Sequence, residues 1–138
     1  MAVEAFNDAL ELLQTLPEQV VMPVTWLAEL EVCNAIERYR FEAHSGSSLR
    51  ISAELTAVAH TTFSEYLAAR SSFARALVDA STLKAIFTNL TLRHTAKHGF
   101  RTYDILHVAS ALALGCDTFW SFNAKAKKLA KLEGLKTN

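Results

Sequence analysis

Asp104 and His107, one turn apart in Arg101-Thr-Tyr-Asp104-Ile-Leu-His107, are the side chains best placed by type and spacing to do chemistry. With Thr102 as N-cap, the spacing predicts Asp104 in the first turn of a helix. The helix dipole stabilises a carboxylate there by about 0.3–1 kcal/mol, which is reason enough for an Asp. The same carboxylate is a hard oxygen ligand for a divalent cation. His107 shares its face and could orient Asp104 or touch a substrate, although a packed, hydrogen-bonded histidine is the plainer reading. Asn123 ends an apolar run and opens a lysine-rich helix. Asn and Asp cap helices about equally well, so the fold does not depend on which is present.

Other groups carry less. Glu31 lies on a helix with Glu29, Glu37 and Glu42, where a solvated glutamate is ordinary. His94 and His98 are spaced i, i+4, compatible with zinc, but no third ligand is evident and no Glu stands between them. Lys125, Lys127, Lys128 and Lys131, with Arg93, Lys97 and Arg101, could hold a phosphate backbone through salt-dependent attraction. Lysine-rich helix faces are common, so the lysines alone decide nothing. There is no nucleophile-elbow glycine pattern and no phosphate-cradling loop, so nucleophilic catalysis has no support.

The elements that must position these groups follow from periodicity. Val3, Phe6, Leu10 and Leu13 predict an amphipathic helix stopped by Pro17. Val20 to Val24 is a short, Val-rich run and predicts a strand. Thr25 caps a helix over 26–41, and Ser52 caps another running to Arg70. A short strand is expected over 73–78, then a helix from a Ser81 cap to His98, stopped by Gly99. The helix of Asp104 follows, then a strand over 117–122, the lysine-rich helix and a final short strand. Strands separated by helices predict a parallel sheet of three or four strands.

A chain of 138 residues, half hydrophobic and one-fifth charged, is one folded domain rather than a disordered segment. Cys33 and Cys116 lack a partner at metal-ligand spacing and read as two thiols in a reducing cytoplasm. The apolar run Ile105–Cys116 is too short to span a bilayer, and no secretory signal is read, so no membrane role is expected. The zero net charge hides an asymmetry. Residues 1–83 carry five bases and eleven acids, net −6, and residues 84–138 carry nine bases and three acids, net +6. Such a dipole can steer an anion to one face or favour head-to-tail self-association.

Two segments resemble a known family. Trp26-Leu-Ala-Glu-Leu-Glu31-Val-Cys-Asn34-Ala is similar to the segment after the second strand of PIN domains. The run from Arg93 to Leu135 is similar to their C-terminal half. The resemblance implies a three-layer α/β/α domain over 1–138 with a small parallel sheet. It implies metal-dependent endoribonuclease activity of the kind found in VapC toxins of toxin–antitoxin pairs. Carried over position by position, Glu31 and Asp104 fall on catalytic, metal-binding carboxylates, and Asn123 on a third metal position that is usually Asp. Asn34, Arg101, His107 and Lys125 fall beside the substrate. Magnesium or manganese would be the cofactor, with RNA and an antitoxin protein as partners. The family's first strand, which ends in Asp, has no counterpart in this sequence. The expectation is therefore an N-terminally incomplete domain that pairs with a second copy as a homodimer and cleaves RNA weakly or not at all. The alternative is a non-catalytic module that binds RNA or a protein through its basic C-terminal half.

Overall fold

The computed structural model describes residue 9 and residues 11–46 and 50–138. It is a mixed α/β structure dominated by helix. The chain divides into two compact units, residues 18–77 and residues 1–17 with 78–138. The predicted first helix lies mostly outside the described residues, and its described part, 11–14, is helical.

In the unit of residues 18–77, β1 (Met22–Val24) pairs in parallel with β2 (Phe73–Arg75), with Met22 opposite Phe73 and Val24 opposite Arg75. Between them run α1 (Trp26–His44) and α2 (Ala53–Ala69). Thr25 and Ser52 cap these helices as predicted, their hydroxyls accepting from the N–H of Ala28 and Leu55. Arg70 ends α2 in the left-handed region, φ 53°. The Arg75 guanidinium grips the Glu29 carboxylate through Nε and Nη2, the shortest contact being 2.9 Å. It joins the end of β2 to the first turn of α1. Hydrogen bonds from Arg75 hold the Glu29 carboxyl below its ordinary range. The imidazole of His60 on α2 meets Glu37 on α1 at 2.9 Å.

The other unit is built on α3 (Ala80–Leu90), α4 (Thr102–Ala113), β3 (Thr118–Phe119), α5 (Ala124–Leu132) and β4 (Lys136–Thr137). Leu90, Phe100, Ile105, Val108, Ala109, Leu129, Ala130 and Leu135 form its core. The buried positions fall at helical spacing: Ile105, Val108 and Ala109 on α4, and Ala126, Leu129 and Ala130 on α5. Burying a Val or Leu side chain stabilises by about 1.5–3 kcal/mol, and Val108 and Leu129 are fully enclosed. Ala109 and Ala130, also fully enclosed, let helix backbones approach closely.

Among the described residues, four short strands pair as two parallel two-stranded sheets, β1 with β2 and β3 with β4, where the sequence predicts one sheet of three or four strands. The strand expected over 117–122 stops at Phe119. Side chains take over the backbone beyond it: Ser121 N–H donates to Asn138 Oδ1, and Asn123 N–H donates to Ser121 Oγ. The helix predicted to end at His98 does so, Gly99 adopting φ 64°, but it carries a π-helical turn at Thr91–Thr95.

Two caps differ from expectation. Asp79, not Ser81, caps α3, accepting from Thr82 N–H at 2.8 Å, while the Ser81 hydroxyl donates to the same carboxylate. Arg101, not Thr102, stands at the start of α4, because the Asp104 carboxylate reaches back to the Arg101 N–H and sets the frame one residue earlier. Among the described residues no helix is long and apolar enough to cross a membrane.

Candidate functional site

Asp104 sits in the first turn of α4 and is 5 % exposed. Burying a carboxylate is costly unless hydrogen bonds replace its water. Both oxygens have donors: Arg101 N–H reaches Oδ2 at 3.0 Å, and Asn123 Nδ2 reaches Oδ1 at 2.9 Å. Asn123 is the N-cap of α5, as predicted, its Oδ1 accepting from the N–H of Lys125 at 2.9 Å and of Ala126 at 3.2 Å. Those two donors fix the amide's orientation. The oxygen must face the helix, so the NH₂ must face Asp104.

Of the residues implicated by sequence, Asp104, Asn123 and Arg101 come together here. Lys125 is adjacent, and its ammonium donates to the Gly99 carbonyl at 3.0 Å. His107 lies one turn along α4 and is half-buried. Glu31 and Asn34 are exposed residues of α1, in the other unit.

The donor set around Asp104 does not suit a divalent cation. Magnesium and manganese take charged or carbonyl oxygens. Here the only side-chain oxygen of Asn123 is engaged with backbone, and the group it presents to Asp104 is an N–H donor. Among the described residues no three His, Cys, Asp or Glu side chains are grouped to hold a metal ion.

A second polar cluster was not legible in the sequence. On the π-helical turn, Arg93 Nη2 meets Glu133 Oε2 at 2.7 Å, and His94 Nε2 meets Glu133 Oε1 at 2.6 Å. Burial raises the Glu133 carboxyl, but the hydrogen bonds from Arg93 and His94 outweigh it, and the net shift is downward. His94 is thereby committed to a carboxylate rather than to a zinc site with His98. The His98 ring packs on Phe100 at 5.4 Å between centroids. Desolvation first, then the charges of Lys128 and Lys97, hold His98 below its ordinary range. Both thiols are free, and burial, then Asp117, pushes that of Cys116 up.

Comparison of the chain with known protein families, curated proteins and solved structures finds no match.

Proposed function

We propose that this chain is a PIN-like relative of VapC-type, metal-dependent endoribonucleases whose acidic site has been closed to the cation. Its fold would be the three-layer α/β/α arrangement of that family. The order of elements supports this, as do an acid in the first turn of α4 and a polar cap joining β3 to α5. The observation that carries the loss of activity is the bond from Asn123 Nδ2 to Asp104 Oδ1. An Asp at position 123 would cap α5 equally well and add a negative charge beside Asp104. At an effective dielectric near 20, one charge pair at 4 Å is worth about 4 kcal/mol before desolvation. Asn123 supplies no such charge, and a cation would have to displace its N–H. The amide performs the structural task of a bridging ion, hydrogen-bonding Asp104 and tying α4 to the start of α5, without the chemistry.

Incubation with single-stranded RNA and manganese tests this reading. The expected result is no cleavage above that of an Asp104→Ala control. Robust cleavage abolished by Asp104→Ala overturns it.

A further inference from the structure

The π-helical turn at Thr91–Thr95 gathers features that the Asp104 site does not use. Among the described residues, the buried side-chain polar atoms left without a hydrogen-bond partner are the hydroxyls of Thr91 and Thr95, both on this turn. Serine and threonine inside a helix commonly donate to a carbonyl three or four residues back, as Ser110 does to Leu106 on α4 and Thr56 to Ala53 on α2. A buried hydroxyl left unpaired costs stability, so the turn is a weak point in this unit. Charge adds to this. Arg93 and Lys97, like His94 and His98, stand four residues apart, a spacing at which like charges repel across a helical turn. Lys128 acts on the same place from α5. Among the described residues the acid paired with these bases is Glu133, and its two oxygens are engaged by Arg93 and His94. No described carboxylate pairs with His98. Its ring is half-buried, 5.4 Å from that of Phe100, a core residue, and 6.3 Å from that of His94.

We infer that residues 91–101 form an acid-sensitive latch, closed while the His98 ring lies uncharged on Phe100 and opened by its protonation. An imidazolium there would meet Lys97 and His94 along its own helix and Lys128 across from it, with the one nearby carboxylate already engaged. Desolvation first, then the charges of Lys128, Lys97 and His94, hold His98 below its ordinary range. A histidine depressed in the closed state favours closure when neutral. That preference is lost as pH falls from the ordinary histidine value, about 6.5, toward the lower one. Glu133 does not titrate in this interval, since its carboxyl is held below the ordinary glutamate range. His94 works in both directions: protonation strengthens its bond to Glu133 but sets a further cation beside His98. The latch leads to Gly99, whose carbonyl holds Lys125, and to Arg101, whose N–H donates to Asp104. Opening therefore uncovers Phe100 and withdraws a hydrogen bond from the buried carboxylate.

The test is amide hydrogen exchange of the full chain, read residue by residue by NMR between about pH 7.5 and 5.5 and corrected for intrinsic rates. Protection of residues 94–101 falls by about threefold or more across that interval, and by no more than about tenfold per pH unit for a single proton. Protection of Val108 and Leu129 in the core holds. His98→Phe keeps a ring against Phe100 but cannot ionise, and abolishes the fall. Lys128→Glu sets an acid beside His98 and abolishes or reverses it. His60→Gln, in the other unit, leaves the fall as in the parent. Circular dichroism matching the parent shows that the variants fold, and should His98→Phe not fold, Lys128→Glu alone decides. Protection that does not change with pH overturns the inference. So does a fall shared equally by Val108 and Leu129, or one that persists in His98→Phe or in Lys128→Glu.

Discussion

Asn123 Nδ2 lies 2.9 Å from Asp104 Oδ1, a contact between the N-cap of α5 and the first turn of α4. The Asn side chain works at both ends, its oxygen capping α5 and its nitrogen donating to a nearly buried carboxylate. An aspartate could perform the first task only. Asn is therefore the residue that stabilises this junction in the absence of an ion.

Replacing Asn123 by Asp separates the two tasks. The cap survives, so the change in stability reports on the Asp104 contact. Loss of a hydrogen bond to a charged group, with a second carboxylate in its place, is expected to destabilise by about 1.5–3 kcal/mol at neutral pH. Manganese should raise the melting temperature of Asn123→Asp and leave that of the parent unchanged. Urea titrations at neutral pH and thermal melts with and without manganese check these outcomes. A parent chain stabilised by manganese would contradict the account.

Glu133 joins the end of α5 to the π-helical turn through Arg93 and His94. Its folded-state carboxyl is held below the ordinary value by those bonds, despite burial. A depressed carboxylate contributes stability that is present above its unfolded pKa and is lost as pH falls through the folded one. The parent chain should therefore lose stability on acidification, beginning near the ordinary glutamate range. Glu133→Gln should be less stable than the parent at neutral pH, by about 1–3 kcal/mol, with a flatter acid limb. Urea midpoints from pH 3 to pH 7 distinguish the two curves, and parallel curves would mean the pair contributes nothing.

What could be read in advance was local. Thr25 and Ser52 cap as expected because each hydroxyl needs only an N–H three residues away. Asn123 was legible as a cap for the same reason, and Gly99 as a stop because a left-handed residue favours glycine. The Asp104–Asn123 bond was not, because it spans 19 residues and exists only once α4 and α5 pack through Ala109, Leu129 and Ala130. Phe122 misled because its apolar character suggests a strand continuing into the core. The Ser121 and Asn138 side chains turn the backbone away instead. The Glu133 cluster links positions 39 and 40 residues apart and leaves no periodic mark.

The cap of α3 gives the last prediction. Ser81 was the expected cap, but Asp79 accepts from Thr82 N–H while the hydroxyls of Ser81 and Thr82 donate to it. Those bonds, led by that of Ser81, lower the Asp79 carboxyl from 3.8 to about 2. A folded pKa below the unfolded one places the contribution above pH 4 and removes it as pH falls from about 4 toward 2. Asp79→Ala should lower the melting temperature at pH 7 and have little effect near pH 2. Asp79→Asn keeps an acceptor for Thr82 N–H and should stay close to the parent at pH 7, with a weaker acid response. Ser81→Ala leaves the cap oxygen in place and should cost less than Asp79→Ala at pH 7. Circular-dichroism melts of the three variants rank them, and a Ser81→Ala melt lower than that of Asp79→Ala would return the cap to Ser81.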